Sequence, residues 1–179
     1  MKLDTITSQP VIQAERLILR PLRRSDAALL ELFGADARVA RMTRNIPHPQ
    51  PPGEAEAFVE RALADDRSED VWALDGKPVG LGAVLGLISL EQMDREQSEV
   101  SYWVGPVFWN TGLATEALQA LIDANPHNDK TMFASVFQDN PASDRVLRNT
   151  GFQYLGDAET YSMARGTTVP TWTYLRRLG

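Results

Sequence analysis

Residues 110–115 (Asn-Thr-Gly-Leu-Ala-Thr) have the types and the spacing of an anion-binding turn. They follow a strand-like segment and run directly into a helical pattern. The first turn of a helix leaves several backbone N–H groups unpaired, and the helix dipole adds positive charge there. Because Gly112 lets a ligand approach the backbone closely, this turn favours phosphate binding on the N–H groups of residues 111–115. A plain helix cap made by Asn110 or Thr111 is the alternative interpretation.

Two regular elements must position this turn. Glu99–Val104 alternates polar and apolar residues and contains β-branched and aromatic types, which predicts a strand. Gly105 and Pro106 end that strand, because proline has no N–H for the ladder and fixes its own φ. After the turn, apolar residues recur at helical spacing and predict one buried face, made of Ala114, Ala117, Leu118, Leu121 and Ile122. The predicted order is strand, break, turn, helix.

Composition limits the classes of protein to consider. The 179 residues are 43% hydrophobic and 23% charged, which is typical of one globular domain. We expect a core over about 15–179 with residues 1–14 as an N-terminal extension. There is no apolar run near the roughly 20 residues that cross a bilayer, and residues 1–15 lack signal-peptide features, so we expect a cytoplasmic protein without membrane contact.

Charge and metal-ligand content exclude further classes. The net charge of −6 argues against a nucleic-acid partner bound through a basic surface. The chain has no cysteine and only two histidines, so disulfides and thiolate sites are excluded and no metal is expected.

The remaining pattern alternates strands and helices. Strands are expected at 15–22, 71–74, 79–90, 131–137, 152–155 and 171–175. Helices are expected after Ser25 or Asp26 (with Leu29, Leu30, Leu32 and Phe33 buried) and at 36–42, 54–66 and 142–149. Asp75-Gly76 predicts a hairpin turn between the second and third strands. Residues 43–53 contain four prolines and must form a loop, either a binding element or a plain surface crossing.

Four segments resemble a known family. NPASDRVLRNTGF (Asn140–Phe152) resembles the signature N-x-x-S-x-x-V-L-x-x-x-G-F of the Gcn5-related N-acetyltransferase (GNAT) superfamily. WNTGLATEAL (Trp109–Leu118) is similar to its acyl-CoA pyrophosphate loop. ERLILRPLRRSDA and SEVSYWVGPVFW are similar to its ribosomal-protein-alanine N-acetyltransferase branch, of the RimJ/RimL type. The resemblance extends from about Glu15 to the C-terminus.

The resemblance implies a mixed α/β fold with acetyl-CoA as cofactor. A mostly antiparallel sheet of six to seven strands would carry helices on both faces and splay apart between its fourth and fifth strands. Pantetheine would lie along Trp103, Val104 and Gly105. Asn140 would hydrogen-bond its amide or only form the turn before Pro141. The pyrophosphate would bind the N–H groups of Thr111, Gly112, Leu113, Ala114 and Thr115, with Asn110 beside it. Arg145 would reach an adenosine phosphate or remain solvated.

The resemblance also implies catalytic roles. Glu99 lies where family members often carry a catalytic glutamate, and a general base is needed because an ammonium nucleophile must lose a proton. Its alternatives are a structural role or substrate binding. Leu147 replaces the family's usual tyrosine acid, while Ser143 matches the serine of the ribosomal-protein branch. Ser143 would donate to the leaving sulfur or only cap its helix, and a late tyrosine (Tyr154, Tyr161 or Tyr174) or water is the alternative acid.

Three functions fit the sequence. The first is an N-acetyltransferase that acts on a primary amine, either a protein α-amino terminus or a small molecule, by direct attack in a ternary complex. The second is an acyl-CoA-binding sensor or partner module without turnover. The third is a phosphate- or nucleotide-binding domain that shares only the turn before the helix. Exposed strand edges make a homodimer possible.

Overall fold

The computed structural model describes residues 9–179. The strands are β1 Ile12–Gln13, β2 Ile18–Pro21, β3 Glu69–Asp75, β4 Gly86–Met93, β5 Gln97–Val104, β6 Thr131–Phe137, β7 Gln153–Ser162 and β8 Thr167–Arg177. The helices are α1 Ala27–Gly34, α2 Ala37–Ala40, α3 Glu54–Leu63, α4 Leu113–Ala124 and α5 Pro141–Asn149. All eight strands form one sheet in the order β1-β2-β3-β4-β5-β6-β8-β7.

Helices cover both faces of the sheet, which confirms the predicted mixed α/β fold. On one face, α4 and α5 bury Leu113, Leu118, Leu121 and Leu147 against the sheet. Of the face predicted for α4, Ala117, Leu118, Leu121 and Ile122 are buried, whereas Ala114 is half-buried and Leu113 is buried in addition. On the other face, α1 and α3 bury a smaller cluster of apolar side chains that includes Leu30, Ala55, Val59, Val71 and Leu87. The sheet therefore separates two different apolar environments.

The strands β5 and β6 separate after a short paired segment. They are parallel, and only three residue pairs join them, from Gln97↔Thr131 to Glu99↔Phe133. On its other side β5 stays paired with β4 through Val104. A gap therefore opens between Val100–Val104 of β5 and residues 134–137 of β6. These are the strands expected as fourth and fifth, and the predicted splay between them is confirmed.

Several element bounds differ from the sequence-based expectation. The sheet has eight strands rather than six to seven, because Ile12–Gln13 pairs with β2 within the segment expected as an extension. The strand expected from residue 79 begins only at Gly86, because a 3₁₀ turn at Lys77–Val79 and further loop precede it. The Asp75-Gly76 hairpin turn is thus a ten-residue connection.

The C-terminal strands are longer than expected. β7 and β8 pair from Gln153↔Leu175 to Ser162↔Thr167, where short strands were predicted.

In α1, Leu32 is 65% exposed, so its predicted burial is wrong. Within residues 9–179, none of the helices combines the length and the apolar character that crossing a membrane requires.

Candidate active site

A cleft of about 580 Å³ opens where β5 and β6 separate. We call it the cleft. Its walls are residues 102–104 of β5, residues 108–115 before and at the start of α4, and residues 139–146 at the start of α5. Nearly all of the residues that the sequence nominated for cofactor binding line it: Trp103, Val104, Asn110, Thr111, Gly112, Leu113, Ala114, Thr115, Asn140, Ser143 and Arg145. Sequence-distant segments therefore converge on one space.

The N-terminus of α4 faces the cleft with free backbone donors. Gly112 is the N-cap residue and has φ +79°, the left-handed conformation that glycine adopts without strain. The first amide of the helix that finds an acceptor belongs to Glu116, which donates to the Gly112 carbonyl at 3.0 Å. Among residues 9–179, the N–H groups from 112 to 115 have no protein acceptor. This donor set fits a pyrophosphate.

Arg16 holds the turn from the side. Its Nε lies 2.7 Å from Oε1 of Glu116, its backbone N–H donates to Oε2 at 2.7 Å, and its Nη1 donates to the Thr111 carbonyl at 3.0 Å. The pair compensates the Glu116 carboxylate, which would otherwise repel an anion at the first turn of α4. The Thr111 hydroxyl donates to the Phe108 carbonyl, so this side chain stabilises the turn itself.

The end of β5 forms one wall of the cleft. The Trp109 indole N–H donates to the Val104 carbonyl at 2.6 Å. A carbonyl oxygen accepts two hydrogen bonds, so Val104 retains one acceptor position. Gly105 does not line the cleft, and a Cβ at this residue would lie 2.6 Å from the Phe33 ring. The structure therefore explains Gly105 by close packing, whereas Trp103 and Val104 reach the cleft.

The start of α5 forms the opposite wall. Asn140 is the N-cap residue, and its Oδ1 accepts from the Ser143 backbone N–H at 3.3 Å. Capping therefore uses the amide oxygen and leaves the Asn140 N–H groups as donors for a ligand. Ser143 is not the cap. Arg145 lines the cleft and makes no ion pair with the described residues, so its charge is available to a phosphate.

A second space, which we call the inner cavity, lies behind the gap and measures about 130 Å³. Its floor includes Glu69, Ser89 and Ser101 of β3 to β5, and its roof includes Phe58 of α3 and residues 42–46. It shares Met42, Tyr102, Trp103, Asn140 and Ser143 with the cleft. The gap thus connects a cofactor-sized cleft on one side of the sheet to a smaller cavity on the other.

Three carboxylates occupy paired positions on neighbouring strands. Glu69 pairs with Glu91, and Glu91 with Glu99, so all three point to the same face of the sheet. Glu99 Oε1 lies 2.6 Å from Arg44 Nη2, and Glu99 does not itself line the inner cavity. Glu69 does line it and has no ion pair among the described residues. Burial, followed by repulsion from Glu91 and Glu99, raises the pKa of Glu69.

Tyr102 supplies a hydroxyl next to Ser143. It donates to the Ser143 carbonyl at 3.2 Å, and its side chain lines both the cleft and the inner cavity. Burial raises the pKa of Tyr102, so its hydroxyl stays protonated at neutral pH. The late tyrosines Tyr154, Tyr161 and Tyr174 line neither space. Tyr102 is therefore the tyrosine that the geometry brings to the gap.

Arg165, in the turn between β7 and β8, joins the segment after β6 to the segment after α2. Its guanidinium binds Asp139 with Nη1–Oδ2 at 2.7 Å and Nη2–Oδ1 at 3.0 Å, and donates to the Arg41 carbonyl from Nε and Nη2. This contact with Arg165 lowers the pKa of Asp139. In the same turn, the Met163 N–H donates to the Arg44 carbonyl at 3.0 Å. The turn therefore fixes Asp139, which precedes Asn140, and the segment that carries Arg44.

Residues 16–153 match the family model described as "Acetyltransferase (GNAT) domain". The chain belongs to this acetyltransferase family. The GNAT chain is 26% identical over 170 residues to the uncharacterized N-acetyltransferase YoaA of Bacillus subtilis (strain 168), covering 92% of this chain and 95% of YoaA. The resemblance found in the sequence is thereby confirmed.

Solved structures share the fold of this GNAT chain. RimL, a ribosomal L7/L12 alpha-N-protein acetyltransferase in complex with coenzyme A, has a TM-score of 0.80 at 18% identity, covering 94% of this chain and 98% of RimL. The spermidine N-acetyltransferase from Vibrio cholerae, in complex with CoA and spermine, has a TM-score of 0.76 at 16% identity, covering 90% and 95%. Coenzyme A is the ligand common to both, in agreement with the predicted cofactor.

Several residues around the two spaces were not predicted from the sequence. Arg44, Glu69 and Arg165 lie outside the segments that resemble the family, whereas Arg16 and Tyr102 lie within such segments but were assigned no role. Arg165 contacts Arg41 across 124 residues of chain, and Arg16 contacts Glu116 across 100.

Proposed function

We propose that the protein transfers an acetyl group from acetyl-CoA to a primary amine by direct attack in a ternary complex. The observation that carries this proposal is the gap between β5 and β6, which joins the cleft to the inner cavity. An acyl donor in the cleft and an amine in the inner cavity would meet at that gap. Holding both reactants there makes the attack effectively unimolecular.

The cleft's residues have distinct roles in binding acetyl-CoA. The amides of Thr111–Thr115 would hold the pyrophosphate, with Asn110 beside them and Arg145 placed for an adenosine phosphate. The unpaired backbone groups of β5 around Trp103 and Val104 would bond the pantetheine arm as an added strand does. The free amide N–H of Asn140 would donate to a pantetheine carbonyl.

Two carboxylates on the inner-cavity face of the sheet have separate proposed roles. Glu99 lies on β5, the strand that borders the gap, and Arg44 holds its carboxylate in one position. Glu69 lies two strands away, about 10 Å by the spacing of strands in a sheet. We propose that Glu99 is the general base, through a water where needed, and that Glu69 gives the inner cavity the negative potential that attracts a cationic amine.

The leaving thiolate requires a proton donor near the gap. Ser143 lines both spaces, and its hydroxyl is the predicted donor. Tyr102 lies beside it with a hydroxyl that remains protonated. We propose that Ser143 donates to the sulfur and that Tyr102 supports this end of α5.

The acceptor class is a protein α-amine or a small-molecule amine. RimL acts on a protein N-terminus and the Vibrio cholerae neighbour on spermidine, according to their names. The inner cavity, which measures about 130 Å³, suits one primary amine and its nearest substituents.

The second candidate function is an acyl-CoA-binding module without turnover. It is favoured by Leu147, which stands where the family usually has a tyrosine.

Two measurements test the proposal in order. Calorimetry with acetyl-CoA should show binding, and absence of heat at about 1 mM would contradict the cleft as its site. A thiol-release assay over peptides and small amines should then show turnover. Binding without release from any amine would favour the non-catalytic module.

The assembly and the compartment are also proposals. β7 is an edge strand of ten residues in which Tyr154, Leu155 and Tyr161 are exposed. Such an edge favours pairing with a second copy, so we propose a homodimer, which sedimentation analysis would detect. We propose the cytoplasm as the compartment, with no membrane or nucleic-acid partner.

Replacing Arg165 with alanine should raise the KM for the amine about 10-fold and change kcat little. The reason is that Arg165 fixes the walls of the inner cavity without reaching the reacting atoms, and a partly exposed charged contact is worth about 1–2 kcal/mol. Steady-state kinetics measures this split. Arg165→Lys should restore part of the effect through Asp139.

Arg24→Ala is the matched control, because Arg24 forms an exposed ion pair with Glu60 away from both spaces. Its KM should stay unchanged. A fall in kcat at constant KM in Arg165→Ala would contradict the positioning role.

A further inference from the structure

A third space, which we call the side pocket, lies between α1, α3 and the loop that carries residues 45–50. It measures about 60 Å³. It adjoins the inner cavity, because Asn45, Ile46, Phe58, Leu87 and Trp103 line both. Trp103 lines the cleft as well. The side pocket therefore lies next to the space in which the amine is proposed to bind.

The side pocket is apolar apart from a few groups, and one of these is unusual. Leu30, Pro47 and Ala55 complete its hydrocarbon walls. Gln50 also lines it, and the Gln50 Oε1 atom is buried without a hydrogen-bond donor among the described residues. Leaving a buried amide oxygen unpaired costs about 1–3 kcal/mol.

The fold makes room for this amide. A Cβ at Gly34 of α1 would lie 3.0 Å from Gln50 Nε2 and 3.2 Å from Oε1. The glycine thus lets the amide pack against the helix backbone. The amide is held in place by packing, and its oxygen has no donor among the described residues.

We propose that the side pocket is a specificity site for the acceptor, and that Gln50 Oε1 accepts a hydrogen bond from the substituent bound there. This inference rests on the proposed function and names its substrate class: primary amines with a short hydrocarbon substituent that ends in a neutral O–H or N–H donor. The apolar walls penalise a charged substituent, because its desolvation would not be compensated.

The volume limits the size of the substituent. At about 60 Å³ the side pocket is the smallest of the three spaces. It therefore suits a short substituent, such as a hydroxyalkyl group of two or three heavy atoms. Asn45 and Glu54 also line the pocket, and one Glu54 oxygen lies 3.3 Å from Arg61. Gln50 is distinguished from them by a buried oxygen that has no donor among the described residues.

The test compares two amines of equal shape, threonine amide and valine amide, which differ by a hydroxyl in place of a methyl group. The measured quantity is kcat/KM from thiol release with acetyl-CoA. The wild-type protein should prefer threonine amide about 2- to 10-fold, the value of one hydrogen bond. Gln50→Leu should abolish or reverse this preference, and Gln50→Met, which keeps the side-chain length, should do the same.

Gln153→Leu is the matched control, because Gln153 is exposed on β7 and lines none of the three spaces. It should keep the wild-type preference. An unchanged ratio of the two amides in both Gln50 variants would overturn the inference while leaving acetyl transfer intact.

A binding measurement separates this failure from a failure of the proposed function. Both amides are titrated calorimetrically into the complex of the protein with coenzyme A. If no amine supports turnover, the proposed reaction fails, and the ratio of the two affinities in wild type and Gln50→Leu still decides the side pocket. If the ratio of the two affinities is the same in the wild type and in Gln50→Leu, the side pocket is refuted as a specificity site.

Discussion

Glu99→Gln is expected to lower kcat by about 100-fold or more while the affinity for acetyl-CoA stays unchanged. A general base contributes about 10²- to 10⁴-fold, and glutamine keeps the shape of the side chain but takes up no proton. Single-turnover thiol release measures the chemical step, and calorimetry measures acetyl-CoA affinity. The Arg44 guanidinium, which lies 2.6 Å from Glu99, would lose its ion pair in this variant.

Two neighbouring glutamates provide the comparison. Glu91 is exposed and occupies the paired position between them, so Glu91→Gln should leave kcat unchanged. Glu69→Gln should mainly raise the KM for a cationic amine. Because burial raises the pKa of Glu69, the wild-type KM should rise as the pH falls through that raised value, and the variant should lose this dependence. If kcat instead fell 100-fold in Glu69→Gln and kept its wild-type value in Glu99→Gln, the general base would be Glu69.

Gly112→Val should weaken acetyl-CoA binding about 10- to 100-fold. Gly112 has φ +79°, where a β-branched residue costs about 1–3 kcal/mol and tends to rotate the amides away from the cleft. Calorimetry measures the affinity, and thermal unfolding measures the general cost of the substitution.

Gly53→Val is a control with the same backbone conformation. Gly53 has φ +81°, is the N-cap residue of α3, and would place a Cβ in open space. This variant should lose similar stability and keep its affinity for acetyl-CoA. Equal affinities in both variants would contradict the pyrophosphate site at α4.

The local sequence was sufficient to predict the bounds of an element where a clear apolar pattern is flanked by residues that end it. β6 was predicted at 131–137 as observed, because an apolar run lies between a charged turn and Gln138–Pro141. β7 was underestimated because nearly all of its side chains are exposed, so no alternation marks it. Its backbone pairing with β8 forms it instead, and pairing between strands is not visible in composition.

The same distinction applies to the site. The turn at 110–115 is a local feature, so the sequence indicated it. The sequence also indicated that the helix after Asn140 could have a side-chain cap, but it named Ser143, whereas Asn140 is the N-cap residue. Arg165 and Arg44 contact residues far along the chain, at Arg41 and Glu99 respectively. Their types and neighbours in sequence carry no sign of these contacts, which depend on how the loops fold over the sheet.

The three residue pairs that join β5 to β6 have a dynamic consequence. They pair a five-stranded part of the sheet with a three-stranded part. Because so few pairs join β5 to β6, we expect this junction to open locally more often than the neighbouring strand pairs. A bound pantetheine arm would bridge the gap between β5 and β6. Backbone amide hydrogens that face the gap should then exchange more slowly with deuterated solvent. The two parts of the sheet should also move less relative to each other when the acyl donor is bound.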